Sequence, residues 1–330
     1  MQFSFTNFLE IEKDFKKINI DQTRICNLDS FSFITHAHSD HVCNTPQKTF
    51  ATKETIELLN LSIKNNKFDF IELEYNKKIK VTDNLTLETL NAGHILGSSM
   101  FHFQDLQSGK DILYTGDFNK HSTLLLKGAK PITADILFLE TTFGKPEFIF
   151  KNRNSIYYSL AKKIKNELLE NKLIILAGYS LGKNQEIICF VNNFLDVTPL
   201  VDRKTYDFSK VYNQNGYNLK FELLDHNFSL SNILILPLSL INRDLLNSLR
   251  LQSGKNICSY VMTGWNYSRS SNLINISDHC DHNSLLDFVD EVNPKVVYTM
   301  HGFSKSFAKS ITTRLGINAY PINILREKGL

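Results

Sequence analysis

One tryptophan, seven prolines and five cysteines are the scarce residues of this 330-residue chain. So little proline, with no low-complexity tract, excludes a disordered or linker-rich protein. The cysteines (Cys26, Cys43, Cys189, Cys258 and Cys280) are odd in number and scattered, and no Cys-x-x-Cys occurs. That pattern suits a reducing cytoplasm rather than a disulfide framework. No apolar run approaches the ~18 residues that cross a bilayer. The longest, such as Leu173-Ile174-Ile175-Leu176-Ala177, are strand-length. Glu10, Glu12 and Asp14 interrupt the stretch where a secretory signal would be apolar. The expectation is a protein of the cytoplasm without membrane contact. A net charge of +3 is too weak to argue for nucleic acid by itself, yet is compatible with an anionic substrate.

What is present supports a large core, with 42% hydrophobic residues and 24 phenylalanines. Ile79 to Leu90 alternates as one half-buried strand should. Met100 to Phe103 and Ile112 to Tyr114 read as the next two strands, parted by a Gln107–Lys110 turn. Ile136 to Leu139 reads as a buried strand. Helical spacing marks Lys53 to Ser62, Ser155 to Asn171, Lys183 to Phe194 and Ser284 to Val292. Strands and helices in this mixture predict a layered α/β protein.

The chemistry concentrates in Thr35-His36-Ala37-His38-Ser39-Asp40-His41, just past the apolar run Phe31 to Ile34. Four metal-capable side chains within six residues of a strand end can converge on one point. Imidazole nitrogens and carboxylate oxygens suit Zn²⁺, or Mn²⁺ where oxygen dominates. Two further candidates follow strand-like runs beside glycine: His94 in Gly93-His94-Ile95-Leu96-Gly97-Ser98-Ser99, and Asp117 in Thr115-Gly116-Asp117. With the first cluster they supply donors for two ions. By themselves these residues say two-metal hydrolase, open to a thioesterase or lactamase reading. Gly178-Tyr179-Ser180-Leu181-Gly182-Lys183 leads from a strand into a helix. There the hydroxyl of Ser180, the charge of Lys183 and the helix-start N–H groups would suit a phosphate. Ser98 and Ser99 are weaker substrate candidates. His102, His121, His226 and His282 read as structural, and Trp265 as a core residue more than a base-stacking one.

The order His-x-His-x-Asp-His, lone His, lone Asp resembles the metallo-β-lactamase superfamily. Leu139-Glu140-Thr141-Thr142-Phe143-Gly144, Ser277-Asp278-His279-Cys280-Asp281 and Met300-His301-Gly302-Phe303 resemble the three late motifs of its β-CASP nuclease branch. Gly178 to Lys183 resembles a segment of that branch's inserted domain. The likeness runs from about Asp21 to about Ala308. It is greatest to the short ligase-associated DNA exonucleases and the mRNA 3′-end-processing-like proteins of bacteria and archaea.

That resemblance implies an αββα sandwich split in sequence, residues 1–150 plus 270–330, with an α/β β-CASP domain inserted at 151–269 and the active site in the cleft between them. It implies two divalent metal ions, Zn²⁺ before Mn²⁺. His36, His38 and His94 would hold the first and Asp40, His41 and His301 the second, with Asp117 bridging. His279 would be the general acid, oriented by Glu140, and Asp21 would orient the metal-binding loop. It implies a DNA exonuclease of repair, working with a DNA ligase or helicase. The alternative is an RNA nuclease of the 3′-end-processing kind, since His301 is compatible with both. A non-catalytic nucleic-acid-binding member is the remote third reading, disfavoured because every ligand position is filled.

Overall fold

The structure is a computed structural model of the chain, and it describes residues 1–6, 8–23, 30–42, 48–63, 69–224, 231–265 and 272–325. Cys26, Cys43 and His226 lie outside the described residues. The described chain divides into two compact units. The first holds residues 1–122, 126–149 and 279–330, and the second 123–125 and 150–278.

The first unit starts with the meander β1 (Gln2–Phe5), β2 (Leu9–Lys13) and β3 (Lys16–Ile20). β4 (Phe31–Phe33), β5 (Lys48–Thr52) and β6 (Asp69–Leu73) continue the sheet in parallel. Between the last two lies helix α1 (Lys53–Ser62), whose N-cap Thr52 accepts from Thr55 N–H. A second sheet begins with β7 (Lys78–Thr82), β8 (Leu85–Asn91), β9 (Ser99–Asp105), β10 (Lys110–Tyr114) and β11 (Ile136–Glu140). The alternating run expected as one strand, Ile79 to Leu90, is thus a hairpin. The turn at Asp83-Asn84 is held by Asp14, whose carboxylate accepts from Thr82 Oγ1, Asn84 N and Asn84 Nδ2. Those turn-forming residues outweigh a periodicity that continues on both sides of them.

The second unit is a separate parallel sheet with helices. Its elements are α2 (Arg153–Leu169), β12 (Leu173–Gly178), α3 (Lys183–Leu195), β13 (Leu200–Val201), α4 (Arg203–Gln214), β14 (Glu222–Leu223), β15 (Ile233–Pro237), α5 (Arg243–Ser253), β16 (Ile257–Thr263) and β17 (Leu273–Asn275). The strand order is β14-β13-β15-β12-β16-β17. β12 and β15 are buried throughout and accordingly read as unbroken apolar runs. The sequence reading passed over α4 and α5. Yet Asn242 caps α5 and Gly254 ends it with φ +65°, both legible signals.

The chain then returns to the first unit with α6 (His282–Val292), β18 (Val296–Met300), α7 (Ser304–Leu315) and β19 (Asn318–Pro321). The completed second sheet has the order β19-β18-β11-β10-β9-β8-β7. Its strands alternate faces as the two-residue period requires. Ile112, Tyr114 and Phe138 face a core shared with Leu9, Ile11, Ile18 and Phe33 of the first sheet. Leu113, Leu137 and Leu139 face the opposite way, onto Leu285, Phe288, Val292, Phe307 and Ile311 of α6 and α7. With α1 against β5 and β6, the layers run α, β, β, α. A fully buried side chain of Phe or Leu size stabilises such layers by about 1.5–3 kcal/mol, so the apolar faces dominate the architecture.

Candidate metal centre

The metal-capable side chains lie past strand ends along one edge of the first unit's paired sheets: the loop after β4, the turn after β8, the residues after β10, the last residue of β11 and the first after β18. Asp21 organises the first of these. Its carboxylate accepts from Thr35 N (2.8 Å), Thr35 Oγ1 (2.8 Å to Oδ2) and the Tyr114 hydroxyl (3.1 Å), and lies 3.0 Å from His41 Nδ1. Thr35 Oγ1 has its one proton on Asp21, so its lone pair takes the Nδ1–H of His36 at 3.0 Å. That leaves the Nε2 lone pair of His36 aimed at the centre. Gly116 makes the close approach possible, because a Cβ there would stand 2.8 Å from the Thr35 side chain. Ser98 Oγ accepts from His94 N (3.0 Å) and Ile95 N (3.2 Å), which shapes the His94 turn. Ser99 Oγ donates to Thr35 O. Both serines are buried and serve the loops rather than facing a substrate.

Three ring nitrogens face one another: His36 Nε2 is 3.1 Å and His94 Nε2 3.2 Å from His38 Nδ1. Asp117 Oδ2 stands 3.7 Å from His36 Nε2 and 3.9 Å from His94 Nε2. Nitrogens around one tetrahedral zinc lie about 3.3 Å apart, so this donor set has the size and chemistry for such an ion. A second set shares the same Asp117 oxygen, which is 3.5 Å from His41 Nε2, and adds His301. A third grouping joins Asp117, Glu140 and His279. Glu140 is fully buried; Oε1 takes His279 Nδ1 at 3.0 Å and Oε2 accepts from Thr142 N at 2.8 Å. Glu140 thereby fixes the His279 ring by its Nδ1.

Asp40 is the sequence candidate that the structure does not bring into these groups. Its side chain is 81% exposed, with Oδ2 3.8 Å from His41 Nε2. Ser39–His41 is a turn of 3₁₀ helix. At three residues per turn, neighbours point about 120° apart, so His41 facing in puts Asp40 at the rim. Lys183 has a different job from the phosphate contact expected of it. It is 2% exposed, and Nζ donates to Glu186 Oε2 (2.9 Å) and Asp278 Oδ1 (2.6 Å) within the second unit. Ser180 is half-buried in the turn before α3, where its carbonyl accepts from Gln185 Nε2. Of the remaining histidines, His102 sits on β9 by Asp111, His121 bonds Ser284 Oγ, and His282 bonds Gly144 O. Trp265 is half-buried past β16. Tyr114 and Thr35 are site residues without an assigned role in the sequence; Thr35 next to His36, and Tyr114 three residues before Asp117, are the available signal.

Charges follow from these neighbours. Burial holds the His36 ring well below the ordinary imidazole value, and the charge on His41 pushes the same way. Burial works against a charged His41 too, but Asp117 and Asp21 outweigh it and raise its pKa well above the ordinary value. Asp117 would be neutralised by burial alone, yet His41 beside it holds the carboxyl well below the usual range. A ligating imidazole must be neutral, so an ion arriving at His41 competes with a proton and one arriving at His36 does not. Affinity for the ion at His41 is therefore expected to rise about tenfold per pH unit from neutrality up to the raised His41 value. Zn²⁺ competition titrations at a series of pH values check this. A Zn²⁺ affinity that stays flat above neutral pH would refute it.

Comparison with known proteins agrees with this geometry. Residues 11–150 match the family model described as the metallo-beta-lactamase superfamily domain. Residues 271–321 match the Zn-dependent metallo-hydrolase RNA specificity domain. This chain belongs to the metallo-β-lactamase superfamily, in its β-CASP branch. A probable DNA ligase of Opitutus terrae is 27% identical over 299 residues, covering 88% of this β-CASP chain and 28% of the ligase. An RNase J-like protein of Methanocaldococcus jannaschii is 31% identical, over 52% of this chain and 46% of that one. A DNA cross-link repair protein of Schizosaccharomyces pombe is 24% identical, over 76% and 46%. The β-CASP chain thus spans between about a quarter and a half of the length of these relatives. Among its described residues no helix is long and apolar enough to cross a membrane.

Proposed function

We propose that this chain is a metal-dependent phosphodiesterase, a DNA exonuclease of repair that works beside a ligase or helicase in the cytoplasm. The observation that carries the reading is the shared Asp117 oxygen, which joins the His36–His38–His94 set to the His41–His301 set beside the Glu140–His279 pair. His36, His38 and His94 would hold one Zn²⁺ and His41 and His301 a second, with Asp117 common to both sets. Asp40, at the rim 3.8 Å from His41 Nε2, would be the remaining ligand of the second ion. Two such ions, when bound, would activate water at neutral pH and offset the charge gathering on a phosphodiester.

The chain's own residues do the rest. His279 carries the proton for the leaving oxygen, because imidazole is the side chain that exchanges protons nearest neutral pH. Glu140 holds the ring by Nδ1 and keeps its other nitrogen directed outward from the carboxylate. Ser180 remains the proposed phosphate contact of the inserted unit. The ligase-named and cross-link-repair relatives support DNA as substrate. The RNase J-like relative and the RNA specificity description favour the second reading, an RNA nuclease.

End-labelled single-stranded DNA and RNA, digested side by side with Zn²⁺ and with Mn²⁺ and sized on a gel, test the proposal. DNA shortened stepwise from one end is the expected result. RNA cut with DNA intact transfers the assignment to the second reading. Both left intact, while a thioester or lactam is hydrolysed, removes the nuclease assignment altogether.

A further inference from the structure

We infer that the Thr141 hydroxyl is a positioning group for His301, and so a determinant of the second metal set although it touches no metal itself. This rests on the reading of His301 as a ligand. His301 has φ +56°, a left-handed backbone that is uncommon outside glycine, and it is exposed. The exposed ring meets His41 on one side, 5.5 Å between ring centroids, and the backbone beneath it sets the direction from which it reaches there. That backbone conformation is unfavourable in isolation and needs surrounding structure to hold it.

Thr141 supplies the hold. It is fully buried at the end of β11, next to Glu140. Its N–H donates to Met300 O at 2.8 Å. Its hydroxyl proton is shared between Met300 O (3.0 Å) and His301 O (2.8 Å). Its carbonyl accepts from Phe303 N at 2.9 Å. Between these anchors Gly302 has φ +46°, and a Cβ there would lie 2.5 Å from Thr141 O and from Thr142 Cα. The turn 300–303 is thus closed onto one residue. Of these bonds only the hydroxyl pair depends on the side chain, and one of that pair ends on the carbonyl of His301 itself. The same strand end therefore sets two groups: Glu140 holds His279 by its ring, and Thr141 holds His301 by its backbone.

The test compares Thr141→Val, which keeps the shape and loses the hydroxyl, with Thr141→Ser, which keeps the hydroxyl. His301→Ala is the control. Zn²⁺ is titrated into each metal-stripped protein against a chromophoric chelator, and a thermal melt of the metal-free proteins checks folding. In Thr141→Val one of the two ions is expected to bind roughly ten- to a hundredfold more weakly, the other being unchanged. Thr141→Ser is expected to bind both as the unaltered protein does. Thr141→Val binding both ions normally overturns the inference. Equal losses in the Val and Ser variants also overturn it, because they would assign the effect to the methyl group. If Thr141→Val does not fold, Thr141→Cys, of similar volume and a weak donor, replaces it; there a partial loss is expected and no loss overturns. If His301→Ala leaves both ions bound, the ligand reading itself fails. If it loses one ion while Thr141→Val loses none, only the positioning role fails.

Discussion

Asp117→Ala is expected to lower the proposed nuclease activity by roughly three orders of magnitude or more and to weaken binding of both proposed metal ions together. No other side chain belongs to all three candidate metal groups among the described residues. Its Oδ2 lies between 3.5 and 3.9 Å from His36, His41 and His94 Nε2, so its loss leaves each set without its common oxygen. The fold is expected to survive. His41 keeps Asp21 as an ionic partner, and the hydrogen bonds that shape the loops, Thr35 N–H to Asp21 and His94 N–H to Ser98 Oγ, do not involve Asp117. Metal content, a thermal melt and the rate on labelled DNA are the three measurements. Loss of only one ion would contradict a bridging role, and retained activity would remove Asp117 from the site.

His279→Ala is expected to slow cleavage of a nucleic acid by roughly 10²–10⁴-fold while both ions stay bound, since proton donation of this kind is worth that much. The decisive comparison uses a nitrophenyl phosphodiester, whose leaving group departs without needing a proton. The variant's defect should largely vanish on it. An equal defect on both substrates would mean that His279 positions substrate or holds metal in the Asp117–Glu140–His279 grouping instead. Glu140→Gln still accepts at one oxygen, yet loses the charge beside the ring Nδ1. Its defect should be in the same direction and smaller, about tenfold.

The legibility of this site tracks distance along the chain. His36, His38 and His41 are within six positions of one another, so their convergence was a local matter, readable from a strand followed by a tight loop. His94 and Asp117 stood out through flanking glycines, although nothing local said that Asp117 would be common to two sets. The partnership of Glu140 with His279, 139 residues later, had no periodicity or spacing to announce it and entered only through resemblance. The same holds for His301. In the other direction, residue type misled at Lys183. A lysine at a helix start reads as a phosphate contact until the fold shows Glu186 one turn along and Asp278 brought to it from 95 residues away. Asp40 shows a finer limit. The motif made it a ligand, and the three-residue turn holding it decides which way it points.

By itself, then, the sequence determined the chemistry available to this protein. It specified imidazoles and carboxylates at strand ends, an apolar alternation that makes two facing sheets, and helices whose caps are written beside them. Those are properties of neighbours, and neighbours in sequence interact before anything folds. Only the tertiary structure decided which oxygen is shared, which histidine has its pKa raised and which has it lowered, and which buried lysine is already paired. Each of those depends on groups from different strands arriving within 4 Å of one another in a site that burial makes unforgiving of unpaired charge. The turn at His301 belongs to both accounts. Its glycine is visible in the sequence, and the threonine that holds it is 160 residues away.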